Sequence, residues 1–421
     1  MRSNRLTTYI MVGLLAGLLA GYVCHAYFPE SGTRFAELTS LLPTAFLRLI
    51  KMIIAPLVFA TLVVGIGKMG DIATVGRVGG KALGWFIFAS LISLTLGLIL
   101  VGWLEPGKAM QLPIPPADAT SGVQSGGLSL QGFISHLIPT SIFDAMVRNE
   151  ILQIVVFSLF FGTAMAALGE RSKTVIDALD AVSHIMLKVT SYVMIFAPLA
   201  VFGAIASIVA KEGLDIIRVY GILIGEFYLG ILILWAILIG LGVAFIGPSM
   251  FRLIRRMREP VLLAFSTASS EAAYPKTLEE LERFGCSNRI ASFVLPVGYS
   301  FNLDGSMMYC TFAVMFIAQV YGIEISVGEQ IVMLAILMLT SKGIAGVPRA
   351  SLVVIAATLA QFNIPEAGML LLLGIDHFLD MGRSATNVIG NSVATAVVSK
   401  WEGELKTEDE RSVVPGVVTD Q

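Results

Sequence analysis

Long stretches without a charged side chain constrain this chain more than any other feature. They lie between Arg5 and Glu30, Lys81 and Glu105, Glu150 and Glu170, Lys188 and Lys211, and Glu226 and Arg252. A spanning helix needs about 20 mostly apolar residues, and each stretch meets that length. A further apolar segment, Leu41–Gly67, carries only Arg48 and Lys51. Six ordinary spans are therefore expected by about Gly247. Length alone, 421 residues, would allow two or three soluble domains, but hydrophobic residues make up 56% and charged residues 14%. Soluble domains hold about 45–50% and 25%, so the chain reads as a polytopic membrane protein embedded in a lipid bilayer.

The same numbers exclude other classes. A net charge of −2 leaves no basic stripe for nucleic acid. Cys24, Cys286 and Cys310 are too scattered for a disulfide framework, and His25, His136, His184 and His377 lack metal-ligand spacing. No cofactor is expected. Positive charges flank alternate spans: Arg2 and Arg5; Lys68, Arg77 and Lys81; Arg171 and Lys173; then Arg252, Arg255, Arg256 and Arg258. If the spans alternate, all fall on one side, which marks it and both termini as cytoplasmic. The loop from Pro106 to about Gly127 is then external.

The last 160 residues are patterned differently. Pro260–Ser270 and Ile331–Ser341 are apolar runs too short to cross, and each is followed by a second arm. The first run ends in Ser269-Ser270-Glu271, the second in Lys342-Gly343-Ile344-Ala345-Gly346-Val347-Pro348. Two such breaks point to re-entrant hairpins and to a transporter-like site formed by discontinuous helices. The segment Asn302-Leu303-Asp304-Gly305-Ser306 interrupts another apolar stretch and is expected to unwind there, exposing carbonyls to a cation.

Placed on one helix, Asp376, Asp380, Arg383, Ser384, Asn387 and Asn391 fall within an arc of about 100°. Ionisable side chains at membrane depth are costly and read as functional. Arg383 offers a planar fork for a carboxylate. Asp380, one turn away, can accept from an ammonium, and Ser384 and Asn387 add hydrogen bonds. The second carboxylate of an acidic amino acid suits the Ser269-Ser270 tip, where hydroxyls and free backbone N–H groups converge. Glu271 beside that tip is a candidate proton carrier. An enzyme is not expected: a serine hydrolase at Ser269 or Ser270 would need a base, and no histidine lies near either tip in sequence.

These residues resemble a known group, the dicarboxylate/amino acid:cation symporters, which include bacterial proton/glutamate symporters. The resemblance rests on Ser-Thr-Ala-Ser-Ser-Glu (266–271), Asn-Leu-Asp-Gly-Ser (302–306), Gly-Ile-Ala-Gly-Val-Pro (343–348) and Asp-His-Phe-Leu-Asp-Met-Gly-Arg-Ser-Ala-Thr-Asn (376–387). It implies an all-α membrane protein of the glutamate-transporter fold, with eight transmembrane helices, two re-entrant helical hairpins and a homotrimeric assembly in the bacterial inner membrane. It further implies a scaffold (1–73 and 127–212) and an elevator-like transport domain (74–126 and 213–403). Residues 404–421 are expected to be a disordered cytoplasmic tail.

The resemblance implies substrate contacts at Ser269, Ser270, Ser306, Val347, Ser351, Asp380, Arg383, Ser384 and Asn387, with Arg383 on the side-chain carboxylate and Asp380 on the amino group. It implies a gate at Gly343, Gly346, Val347 and Pro348. Coupling-ion candidates are Glu271, Gly298, Ser300, Asn302, Asp304, Asp376, Asn387 and Asn391, with Na+ placed, if anywhere, at Asn302, Asp304 and Ser90. Sodium-coupled relatives carry a carboxylate where this chain has Asn391, and a tyrosine and a threonine near Phe86 and Ala89. Losing those oxygens weakens a hard-cation site. The expected activity is therefore uptake of L-glutamate or L-aspartate with H+, the alternatives being Na+ coupling, C4-dicarboxylates or neutral amino acids. Family members specialised for C4-dicarboxylates lack an acid at the Asp380 position. Some members place an extra arginine where this chain has Ala268 or Met381.

Overall fold

The computed structural model describes residues 3–69, 72–109, 115–116, 137–213, 215–340 and 350–406. The gate residues Gly343, Gly346, Val347 and Pro348 lie outside them, as does Arg349. Among the described residues the chain is helical throughout, apart from one isolated β-bridge between Cys286 and Leu405. Six segments are long and apolar enough to cross a bilayer: Thr8–Tyr27, Gly32–Gly67, Ala73–Lys108, Ile151–Lys211, Tyr220–Ile246 and Asn288–Val320.

The helices sort into two packing groups. In the first, α1 (Ser3–Tyr27) and α2 (Pro29–Met69) pack against α5 (Ile151–Leu168), α6 (Lys173–Val193) and α7 (Ala197–Glu212). A short helix, α4 (Ile142–Arg148), precedes α5 and is capped by Ser141, whose hydroxyl accepts from the Asp144 amide. Gly13, Gly17 and Gly21 recur every fourth residue along α1, on one stripe. A methyl group there would stand 2.5, 2.6 and 2.8 Å from the carbonyl oxygens of Pro198, Phe202 and Ala206. Small residues thus let α1 and α7 touch backbone to backbone, which is how helices associate in lipid.

The second group comprises α3 (Ile72–Leu104), α8 (Asp215–Ile246), α9 (Ser249–Thr267), α10 (Tyr274–Phe284), α11 (Asn288–Phe301), α12 (Asp304–Val320), α13 (Val327–Thr340), α14 (Ala350–Gln361) and α15 (Asp376–Trp401). Its centre is α15, on which α8, α9, α11 and α12 all pack. The two groups meet where α11 crosses α2 and where α9 lies against α1 and α7.

Several boundaries differ from the sequence reading. The first hairpin arm begins at Ser249 rather than Pro260, because Pro260 is accommodated inside α9. This arm is amphipathic: its arginines lie along one side while Met250, Leu253 and Met257 are buried. The span expected from Lys188 to Lys211 is broken by a 3-10 turn at Met194–Phe196, followed by Pro198 in the first turn of α7. Unwinding at 302–306 is confined to Asn302 and Leu303. Asp304 already belongs to α12, where an acid in the first turn favours the helix N-terminus. The C-terminal segment departs from the expected disorder as far as Lys406: the Lys406 amide donates to the Gly285 carbonyl, and Glu404 pairs with Arg289 and accepts from Ser287. The remainder of the expected tail, 407–421, lies outside the described residues.

Candidate functional site

The polar stripe forms one helix, α15, as the spacing predicts, and it is buried almost entirely. Arg383 is 1% exposed, Asp376 0% and Asp380 5%. The Arg383 guanidinium donates to Asp380, with Nη2 at 2.8 Å and Nε at 3.2 Å, and Nη2 also reaches Asp376 at 3.3 Å. Its plane lies over the Tyr309 ring, the carbon at its centre 4.0 Å from the ring centroid. Tyr309 in turn donates its hydroxyl to Asp376 at 3.0 Å. Two carboxylates and an aromatic face therefore hold one guanidinium. Its Nη1 has no hydrogen-bond partner among the described residues. That buried, unused donor is the feature of this cluster most suited to an incoming anion.

One turn further along α15, Asn387 joins the second break. Its side-chain oxygen accepts from the backbone amides of Gly305 (2.9 Å) and Ser306 (3.4 Å), and its amide donates to the Ser306 hydroxyl at 3.3 Å. Asn387 thus satisfies orphan donors at the start of α12. The contact is close because Gly305 has no side chain: a methyl there would sit 2.5 Å from the Arg383 carbonyl oxygen. Two turns along from Arg383, Asn391 accepts from the Asn302 amide at 3.3 Å, and the same amide donates to Asp304 at 3.0 Å. Gly298 packs beneath Asn391. The buried Asn302 Oδ1 and Asn391 Nδ2 have no partner among the described residues. The group gathers the side-chain oxygens of Asn302, Asp304 and Asn391, with Asp304 wholly buried, and these are the residues that could hold a small cation.

At the first hairpin, Ala268 ends α9 in the left-handed conformation (φ 48) and packs with Met381 on α15. Ser269 follows, its hydroxyl accepting from the Ala272 amide at 3.4 Å. The buried Ser270 hydroxyl has no partner among the described residues. Glu271 opens a 3-10 turn and is 6% exposed. Ser90, Ser300, Ser351 and Ser384 are buried on α3, α11, α14 and α15.

Two residues of these clusters escaped the sequence reading. Tyr309 supplies the platform for Arg383. Its signal was a polar hydroxyl within an apolar run, which must find a partner when buried. Ser93 donates to Asp304 at 3.2 Å, a contact the sequence reading did not give it.

A break in the helix at Asn302 and Leu303, a buried guanidinium and a buried group of side-chain oxygens thus meet on α15. A family model described as the sodium:dicarboxylate symporter family matches residues 6–401. The chain belongs to the sodium:dicarboxylate symporter family. Symporter relatives named "C4-dicarboxylate transport protein" cover nearly all of it. That of Rhizobium leguminosarum is 40% identical over 409 residues, 96% of this chain and 90% of the relative. That of Bacillus subtilis (strain 168) is 37% identical over 418 residues, 98% and 97% of the two chains. That of Laribacter hongkongensis (strain HLHK9) is 38% identical over 415 residues, 97% and 93%. This symporter-family chain is therefore a multi-pass membrane transporter rather than an enzyme, and its sequence motifs identified the family correctly.

Proposed function

We propose that the protein takes up an acidic amino acid, L-aspartate or L-glutamate, together with protons, by an elevator movement within a homotrimer of the bacterial inner membrane. The observation that carries the substrate reading is Asp380, a buried carboxylate bonded to the same guanidinium that has a donor left over. An aspartate substrate brings an ammonium with its two carboxylates. One carboxylate occupies Arg383, and the ammonium takes Asp380 when the guanidinium turns toward the anion. Ser384 and Asn387 border the amino acid, and the Ser269-Ser270 tip, with Ser270 hydroxyl unclaimed, receives the second carboxylate. Ser306, Ser351 and Val347 complete the pocket, with 343–348 as the gate.

Protons are preferred over sodium because Asn391 contributes an amide where a sodium site would gain a charge, and Glu271, Asp304, Asp376 and Asp380 are the candidate carriers. Gly298, Ser300, Asn302 and Ser90 border the same region. The helices of 1–73 and 127–212 act as scaffold, and the group centred on α15 moves; the separation of packing into two groups supports this division. The runs of Lys and Arg support a cytoplasmic side for both termini.

A second reading is favoured by the names of the relatives, C4-dicarboxylate transport proteins. Succinate matches aspartate in length but lacks the ammonium, so it would set two full carboxylates beside Asp376 and Asp380. Uptake into proteoliposomes decides, with pH and sodium gradients imposed separately and aspartate, glutamate, succinate and malate compared. Aspartate should accumulate on an inward proton gradient, and Asp380→Ser should weaken aspartate about tenfold or more while leaving succinate nearly unchanged. Succinate uptake that aspartate fails to inhibit would transfer the assignment to C4-dicarboxylates. Accumulation driven by sodium alone would replace the proton.

A further inference from the structure

Helix α8 carries an acid that the substrate and cation clusters leave unused. Between Arg218 and Arg252 the only Asp, Glu, Lys or Arg is Glu226. Its Oε2 is buried and has no hydrogen-bond partner among the described residues. Glu226 shares a stripe with Ile222 and Leu229, which stand four and three residues away and are 56% and 44% exposed. The opposite side of α8, through Leu223, Phe227 and Ile231, is buried, with Phe227 edge-on to Tyr309. Glu226 therefore sits at the margin of the face that α8 turns to lipid. Within the apolar span Tyr220–Ile246 it lies about 9 Å along the helix from the first end and about 30 Å from the other.

Among the described residues, the helices packed against α8 show no ion pair to Glu226. On α3 there is none between Lys81 and Glu105, and Glu105 pairs with Lys108. On α12, Asp304 is bonded to Ser93 and Asn302, and Tyr309 to Asp376; Cys310 is uncharged. On α15, Asp376, Asp380 and Arg383 hold one another, Lys400 lies at the far end, and His377 makes no hydrogen bond to Glu226 Oε2. The arginines and Glu259 of α9 follow the far end of α8. On α8 itself, Tyr228 donates to the Phe378 carbonyl.

We infer that Glu226 is a proton-binding site on the lipid face of α8, which must be filled before the outer end of that helix is drawn inward. The inference rests on the elevator movement and orientation proposed above. With the start of α8 external, Glu226 lies near the outer boundary of the hydrocarbon, and an inward stroke carries it deeper. An ionised carboxylate at depth is expensive and a protonated one is not, so the stroke selects the protonated form. The proton arrives from the outer aqueous phase and returns to it when α8 moves back. It is thus not transported, and external acid speeds the stroke without changing the coupling ratio.

Homo-exchange of labelled substrate in proteoliposomes tests this, with the internal pH fixed and the external pH varied from about 8 to 5. Wild-type exchange should rise about tenfold or more towards acid. Glu226→Gln, always neutral, should exchange at the fast rate already at pH 8 and lose most of that rise, while its dependence on internal pH stays as in wild type. Glu226→Asp should keep the external response, which separates loss of a proton site from damage to the fold. A Glu226→Gln protein that transports with the wild-type external profile overturns the inference and leaves the substrate assignment standing. Failure of the wild type to transport any dicarboxylate or acidic amino acid would instead overturn the transport reading itself.

Discussion

The two helical hairpins are built from opposite materials. In the first, α9 and α10 are joined by ions across the arms: Arg256 reaches Glu280 at 3.3 Å and Lys276 lies 3.7 Å from Glu259, while within α10 Lys276 also lies 3.4 Å from Glu280. Glu259 is 1% exposed and Glu280 3%, so this network sits inside the protein. In the second, α14 contains no ionisable residue, and α13 has only Glu329, which turns back to Ser326. Ile331 and Leu339 on α13 stand 63% and 70% exposed, and the buried side of α14 rests on α12. The first hairpin is fastened by ions between its arms and packs on α15, whereas α14 offers no ionisable side chain for such a bond to α13. Apolar burial is non-directional, whereas ion pairs fix the geometry of the groups they join, so the described arms of the two hairpins differ in how their packing is specified.

The largest effect should follow from cutting the fastening of the first hairpin. Lys276→Met leaves buried Glu259 without its lysine, and breaking one side of a buried pair costs about 3–5 kcal/mol. Thermal unfolding in detergent should register that loss. Ile331→Ala on the other hairpin should change stability by less than about 0.5 kcal/mol. Equal losses at the two sites would erase the contrast.

A smaller effect is expected at the tip of the first hairpin, where rigidity would serve binding. Ser270 presents a buried hydroxyl with no partner among the described residues. Ser270→Ala therefore removes no bond from the empty protein, and its unfolding temperature should not fall. If that hydroxyl meets a carboxylate, substrate affinity should weaken by about tenfold or more, since a hydrogen bond to a charged group contributes about 1.5–3 kcal/mol. Isothermal titration of the purified protein measures both affinities. Loss of stability without loss of affinity would make Ser270 a structural residue.

How much of this was legible in the sequence differs between the same two regions. The stripe on α15 was readable because all of its residues lie on one helix, where spacing fixes the face. The first break was readable from a short apolar run and the Ser-Ser tip, while the second lies outside the described residues. The place of Asn387 was not. Its oxygen caps α12 from 82 residues away, and no local pattern encodes that meeting. Tyr309 and Ser93 failed to stand out for the same reason, since each acts on an acid brought to it by a different part of the chain. The length of α9 is not legible in the sequence, because Pro260 has the look of a boundary yet lies inside the helix. A proline inside a helix at membrane depth is tolerated when neighbours satisfy the freed backbone group. Order at 404–406 arises from pairing with Gly285–Arg289, a contact that charged composition did not suggest.

The smallest effect concerns the end of the first hairpin, and its sign depends on pH. Burial pushes the Glu282 carboxyl up from its usual range, against the Asn288 amide that donates to it and the nearby His184, while Glu279 and Asp180 push the same way as burial. A carboxyl raised in the folded state holds more protons there than in the unfolded chain, so its contribution falls as pH rises through and above about 4.5. Glu282→Gln should accordingly stabilise the protein slightly at pH 7 and leave it unchanged near pH 4. Glu402 behaves in the opposite way. Although burial opposes it, hydrogen bonds from Arg77 and Lys81 hold its carboxyl below the usual range, so its contribution is complete at neutral pH and is lost in acid. Unfolding temperatures from pH 4 to 8 should therefore diverge for Glu282→Gln and Glu402→Gln. The first gains on the neutral side; the second loses there and converges on wild type below about pH 4. Parallel curves for the two variants would mean that Glu282 is as well paired as Glu402, and that the first hairpin is fastened along its whole length.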